Sequence, residues 1–419
     1  MLDPLRSNLS VGALGALYGG SLLSGAWTMV IPTIPVLAKH FQVSPGAAAQ
    51  IVTAMAVGRF IGTPISGMLL DKMGVRAVVV WGAAVVSVAA IVAALMPWLP
   101  GLLALCFVMG MGDSIWALGR EVAGVDLARQ NQRGRVLSTL HGTHNAGTAL
   151  CPWIGGVLTE QFDFHAAFLA YGIFAAVSVL LGFGAPVAKA AHDAGPKTVA
   201  VVGWSPAAIG ARLRAMAALF LEIHPALRST YIALVVATWA SHSYRITLQS
   251  MLPLYAGTYL NFSPSQVGLL FSISGAFVFL MIIPSGMIMD KVGRKWATVP
   301  STGLPALAFL LIPFTDSFIQ LAAMLALTGV CNGLSLGSMS VSTFDVVPAH
   351  ARGRLQAARR MIAEMGGALA PLVGGFLATR FNPGVPFWVY VPILLFAAVY
   401  LAMAGRETLE KYMKVRREA

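Results

Sequence analysis

Charge is what this sequence has least of. Asp, Glu, Lys and Arg make up 11% of its 419 residues, about half the share of an ordinary soluble chain. So few charges cannot cover a water-facing surface, and lipid must be the solvent for most of it. The acidic side is the thinner, with 16 Asp and Glu against 28 Lys and Arg. Cysteine is rarer still: Cys106, Cys151 and Cys331 are the three, and all fall within apolar runs. This excludes an extracellular disulfide framework and a cysteine metal cluster, and leaves small apolar packing as their role. Also missing are a phosphate-cradling loop, a nucleophile and base at a recognisable spacing, and any metal-ligand cluster, which argues against an enzyme and predicts no cofactor and no metal.

Hydrophobic residues, by contrast, reach 57%. They form runs of about twenty residues or more, the length that crosses a bilayer as a helix. The pattern predicts an all-α membrane protein of twelve spans, near 12–38, 46–69, 77–97, 101–125, 136–158, 165–186, 228–257, 265–288, 296–314, 317–344, 356–378 and 384–404. A net charge of +12 would suggest nucleic acid in a soluble protein. Here it reads as topology. With both termini in the cytoplasm, Lys72, Arg76, Arg129, Arg133, Arg135, Lys291, Arg294, Lys295, Arg352, Arg354 and the tail cluster face inward, and only Lys39 and Arg380 fall outside. The run from Val11 is longer than a signal-peptide core and lacks a small-residue cleavage site, so it reads as a retained first span.

The chain carries one pattern twice, 219 residues apart. GMLLDKMGVR from Gly67 answers GMIMDKVGRK from Gly286, aligning Asp71 with Asp290 and Gly74 with Gly293. The register holds from Ser44-Pro45 and Ser263-Pro264 to Asp126 and Asp345, Gly155-Gly156 and Gly374-Gly375, and Tyr171 and Tyr390. Two homologous halves in parallel are the architecture of a secondary transporter whose halves rock about a central site. The expected organisation is a six-span bundle at 1–186, a linker at 187–227, a second bundle at 228–404 and a cytoplasmic tail at 405–419. Within the linker, Pro206 to Ile223 is compatible with a helix on the membrane surface and equally with a solvated linker helix. Ser44-Pro45 and Ser263-Pro264 read as N-caps with first-turn prolines, starting spans two and eight.

The two loops closely resemble G-x-L-x-D-x-x-G-[RK]-[RK], the loop motif of the major facilitator superfamily. The first departs at Val75, which leaves its charge to Arg76, and the second only at Ile288. The resemblance covers the whole chain and implies twelve spans in two pseudo-symmetric bundles. It also implies a conformational switch in which the loop residues Gly67, Asp71, Gly74, Arg76, Gly286, Asp290, Gly293 and Arg294 latch one side of the protein. Asp126 and Asp345, ending spans four and ten, match the acidic partners of the loops' basic residues. GTALCPWIGG in span five further resembles the G-x-x-x-G-P-x-x-G-G pattern of the drug:proton antiporters in that family, with Cys151 for the central glycine. Its echo in span eleven, GGALAPLVGG, is equally compatible with packing inherited from a duplicated ancestor.

Ionisable residues deep in spans are costly and therefore functional candidates. Arg59 and Asp113 stand 12 and 13 residues before Asp71 and Asp126, about 18 Å from those span ends at 1.5 Å per residue. They suit a buried ion pair, or a proton carrier in which Asp113 is protonated in one state and paired with Arg59 in the other. Glu121 lies two turns further along, with structural pairing to the loop or a part in proton coupling as its two readings. Arg120 falls roughly where the family often has a coupling arginine, in a poorly matching context. Arg359, Arg360 and Glu364 open span eleven, where arginines can snorkel and face Asp345. His141 and His144, one turn apart, are too few for a metal site.

Arg245 stands in span seven with no acid in the same span. The resemblance makes spans one and seven cavity-lining, and together they carry Trp27, Trp239, His242, Tyr244, Arg245 and Gln249. Aromatic rings with a few hydrogen-bonding groups suit an amphipathic organic ligand, and a lone Arg suits an anionic group on it. Arg245 reaching an acid on another span is the competing reading. The sequence thus predicts a monomeric, multi-pass protein of a bacterial inner membrane that moves small organic molecules, coupled to protons, outward in one reading and inward in another. A non-transporting sensor on the same scaffold is a third reading. Binding of nucleic acid is not expected.

Overall fold

The computed structural model describes residues 4–127, 133–183, 214, 216–335 and 337–408. The side chains of Asp71, Arg133 and Arg135, most of the linker with its anticipated surface helix, and the tail beyond Thr408 lie outside the described residues. Every regular element among the described residues is helical. Span one runs through α1 (Pro4–Leu23), a 3-10 segment (Ser24–Thr33) and α2 (Ile34–His40). Spans two to six are α3 (Pro45–Met73), α4 (Val75–Ala94), α5 (Leu99–Leu127), α6 (Arg133–Phe162) and α7 (Phe164–Phe183). Span seven is α8 (Pro225–Leu254) with a π-helical end (Tyr255–Tyr259), and span eight is α9 (Pro264–Lys291). Span nine is α10 (Arg294–Gly303) with α11 (Pro305–Leu311), and span ten is α12 (Phe318–Ser335) with α13 (Ser338–Val346). Spans eleven and twelve are α14 (Arg352–Arg380) and α15 (Val385–Ala404).

The local chemistry explains these limits. Ser44 Oγ accepts the Ala47 amide at 3.3 Å with Pro45 in the first turn, and Ser263 Oγ accepts the Gln266 amide at 3.4 Å beside Pro264. Both anticipated caps therefore form. Gly74 and Gly293 end spans two and eight at φ of +79° and +146°, where a side chain would strain the turn. The 3-10 segment of span one is buried along its whole length. Its Ser24, Thr28 and Thr33 hydroxyls return to carbonyls three residues back at 2.6–2.7 Å, an alternative to helical bonding that favours a tighter coil.

Among the described residues ten helices are long and apolar enough to cross a membrane, and they account for every expected span except five and seven. Those two helices, α6 and α8, have 30 residues each. Length is not what they lack. The shortfall is in apolarity, because they carry His141, His144 and Asn145, and Trp239 to Gln249 with its serines, histidine and arginine.

Close packing divides the chain into one unit of Met1–Ala200 with Gln249–Gly275 and another of Val201–Leu248 with Ala276–Ala419. The end of span seven and the start of span eight cluster with the first unit. Hydrogen bonds account for that grouping: the Trp153 amide of α6 donates to Ser272 Oγ, and the Ser265 amide donates to Glu160 Oε2, both at 3.1 Å.

Candidate functional site

In the first unit, α3 and α5 bring the two deep charges together. Arg59 Nε lies 3.2 Å from Asp113 Oδ2, with the side chains 21% and 13% exposed. The Arg59 guanidinium also sits 4.3 Å above the Trp27 ring, so cation–π attraction supports the half of the charge that faces away from the carboxylate. Trp27, anticipated with span seven as a ligand contact, is thus engaged by Arg59 on its own unit. Gln249, which also belongs to this unit, turns a buried Oε1 that meets no donor among the described residues.

Two turns beyond Asp113, Arg120 is 6% exposed. It donates to Ser24 Oγ and, at 3.4 Å, to the Gly20 carbonyl, and lies over Trp116 at 4.5 Å. Ser24 Oγ also meets His144 Nδ1 at 2.8 Å while donating its own proton to the Ser21 carbonyl at 2.7 Å. A hydroxyl has one proton, so it must accept from both Arg120 and His144, which assigns His144 the Nδ1–H tautomer. Ser24 was not singled out from sequence. Its signal was available in the repeat, where it aligns with Ser243. Glu121 Oε1 lies 3.5 Å from His141 Nε2.

In the second unit, α8 places its polar residues on different faces. Tyr244 is 1% exposed, donates to Asn332 Oδ1 at 2.6 Å and meets Phe309 edge-on, so its hydroxyl is consumed within the bundle. Arg245 Nε returns to the Ser241 carbonyl at 2.9 Å, and no carboxylate among the described residues of this unit lies within ion-pairing distance of it. His242 Nε2 lies 3.4 Å from Glu364 Oε2. A Cβ on Gly366 would strike Trp239 and Ser243, and one on Gly367 would strike His242, so α14 and α8 touch closely here. Arg359 does not face Asp345: it donates to Thr238 Oγ1, to Ser340 Oγ at 3.2 Å and to Gln356 Oε1 at 3.3 Å.

The two loops repeat a contact and differ in another. Arg76 donates to the Phe183 carbonyl at 2.7 Å, and Lys295 donates to the Ala402 carbonyl. Both donors and both acceptors are repeat mates, 219 residues apart. Arg294 pairs with Asp290 at 2.9 Å and with Asp345 at 3.2 Å, as anticipated for that loop. In the first loop the position of Arg294 is held by Val75, and Arg76 does not substitute for it: Arg76 performs the task of Lys295, and Asp126 is exposed. The expected Arg76 and Asp126 contact is therefore replaced by a bond to the end of span six.

The start of the tail completes the second loop. Glu407 accepts the Arg294 amide at 2.8 Å and the Lys295 amide at 3.1 Å, and Thr408 donates to Asp345 at 3.1 Å. A carboxylate on the free amides of a helix N-terminus is favourable both as cap and as counter-charge. Glu407→Ala is expected to cost about 1 kcal/mol locally. Amide hydrogen exchange at Arg294 and Lys295 should accelerate roughly fivefold by that amount, and unchanged exchange would remove the cap.

The free cysteines are buried, and no cluster of three His, Cys, Asp or Glu among the described residues is placed to hold a metal. The family model of the Major Facilitator Superfamily matches residues 16–244 and 234–417. The putative multidrug resistance protein MdtD of Salmonella paratyphi A is 24% identical over 408 residues, covering 87% of this chain and 85% of that protein. The multi-drug resistance efflux pump PmrA of Streptococcus pneumoniae is 22% identical over 412 residues, covering 94% and 96%. Among solved structures, a D-xylose-proton symporter aligns with a TM-score of 0.73 at 16% identity, covering 95% of this chain and 98% of that one. A peptide transporter, POT, aligns with a TM-score of 0.77 at 13% identity, covering 97% and 100%. With a family match across both halves, repeated loops and helices of membrane-crossing length, the chain belongs to the Major Facilitator Superfamily and is a multi-pass membrane transporter.

Proposed function

We propose that the chain is a proton-driven exporter of small amphipathic organic molecules bearing an anionic group. It works as a monomer by alternating access, in a bacterial inner membrane with both termini in the cytoplasm. The observation that carries the proton-driven reading is the membrane-embedded Arg59 and Asp113 pair, 3.2 Å apart. An arginine keeps its proton, so a proton is exchanged at this pair only at the carboxylate. Protonating Asp113 removes the ionic attraction between the two side chains, the local charge change by which a proton can bias a rocking mechanism. The names of the two curated relatives, a multidrug resistance protein and an efflux pump, support export. Flux into proteoliposomes under an imposed pH gradient tests the direction, after a thermal-shift screen has chosen the compound. Accumulation on the proton-rich side supports antiport, and accumulation together with protons reverses the direction to uptake.

Within span seven, Arg245 is the proposed anchor for the anionic group, because its Nε bonds the Ser241 carbonyl of the same helix and no carboxylate of the described residues of its unit pairs with it. His242 and Trp239 of the same unit are proposed to supply further contacts. Arg245→Ala is expected to weaken an anionic ligand about tenfold to a hundredfold, the range of a charge-assisted hydrogen bond, and to spare a neutral analogue. Titration calorimetry with the two compounds checks this, and equal losses would assign Arg245 to structure alone. The loop contacts of Arg76, Arg294, Asp345 and Asp290 are the proposed switch.

A further inference from the structure

We propose that His242 and Glu364 form a second proton-binding site, in the unit that lacks the Arg59 and Asp113 pair. Its use in transport rests on the proton-driven reading above, but the site itself does not. Three observations lead here. The imidazole Nε2 lies 3.4 Å from the Glu364 carboxylate, inside a span, with the side chains 25% and 19% exposed and so not sealed within the bundle. The contact is built, because Gly367 holds α14 against the His242 ring and leaves no room for a Cβ. And the helix bearing His242 falls short of the apolarity of a membrane-crossing helix, a cost that lipid imposes without return unless the polar residues do something.

The chemistry of the pair differs from that of Arg59 and Asp113. Imidazole is the side chain that changes charge between pH 5 and 8. In the unloaded state, neutral His242 beside ionised Glu364 carries a net charge of −1. One proton from water forms the second N–H bond of the ring, giving a neutral imidazolium–carboxylate pair, and release returns that proton to water. A net charge removed inside the membrane on loading is what favours reorientation of a loaded carrier. The charged neighbours on the two helices are Arg245 on α8, and Arg359 and Arg360 on α14. Arg359 is fully engaged by Thr238, Ser340 and Gln356. From α12, Asn332 accepts the Tyr244 hydroxyl at 2.6 Å, which turns that phenol away from the pair.

The test needs no substrate. Full-length protein with labelled histidine, in lipid nanodiscs, is followed by NMR from pH 5 to 8, with the His242 signal identified by its loss in His242→Gln. The expected result is a charge transition of His242 within that window and a displaced curve in Glu364→Gln. A ring that holds one protonation state throughout, or a Glu364→Gln curve that superimposes on wild type, would overturn the site while leaving Asp113 as a coupling group. A titrating pair in a protein without gradient-driven flux would keep the site and remove the proton-driven reading instead.

Discussion

Asp113→Asn is expected to abolish gradient-driven transport while leaving ligand binding measurable. The amide keeps the size and one acceptor oxygen of the carboxylate, so Arg59 retains a neighbour and Trp27 retains its place beneath the guanidinium at 4.3 Å. What is lost is the charge that a proton can cancel. Removing one member of a buried pair leaves the other uncompensated, at about 3–5 kcal/mol when fully buried. Here the side chains are 21% and 13% exposed, and the penalty falls toward the lower end. A stability loss alone would also reduce flux, so the double variant Arg59→Leu with Asp113→Leu separates the causes. Replacing both charges by apolar groups is often neutral or stabilising. The double variant should recover the thermal stability of wild type, bind the ligand and still fail to accumulate it under a pH gradient. Full gradient-driven flux in Asp113→Asn would remove Asp113 from coupling.

The repeat explains why some of this was legible in the sequence and some was not. Motifs of special backbone geometry transfer directly: Gly74 and Gly293 sit where positive φ ends a span, and Ser44 and Ser263 cap as their Ser-Pro context requires. Equal depth brought Arg59 to Asp113, because two helices of one bundle place residues equally far from their ends side by side. Rotation about a helix axis is much harder to read. Span seven carries a ligand-like set of residues from Trp239 to Gln249, yet its turns send Tyr244 to Asn332 and His242 to Glu364. The partners Asn332 and Glu364 come from spans ten and eleven, and no local pattern in either span points to span seven. Register assigned Arg76 the charge of its loop, but the mate of Arg294 is Val75. The register aligns Arg76 with Lys295, and the bond to Phe183, repeated by Lys295 and Ala402, shows what the two have in common.

Gly147→Ala should cost the protein its fold in proportion to how little room lies between spans one and five. A Cβ at Gly147 would come within 3.0 Å of the Leu22 carbonyl, and one at Gly25 within 3.0 Å of the Gly147 backbone. Both obstacles are main chain, so no side chain can rotate out of the way, and the helices must part. Overpacking in a tight interior costs about 1–3 kcal/mol where side chains can adjust, and a backbone obstacle places this substitution at or above the upper figure. Gly142, five residues earlier on the same helix, is the control: a Cβ there meets nothing within 4 Å. Gly142→Ala should be neutral or stabilise by up to about 1 kcal/mol through helix propensity. Thermal unfolding in detergent, followed by size-exclusion chromatography, compares the two. If Gly147→Ala is as stable as Gly142→Ala, spans one and five do not touch as described. The consequence reaches the polar cluster, since the same close approach lets Ser24 of span one accept from His144 of span five. A separation of even one ångström would break that bond and leave the part-buried Nδ1–H of His144 without its acceptor, so Gly147→Ala should impair transport beyond its effect on the amount of folded protein.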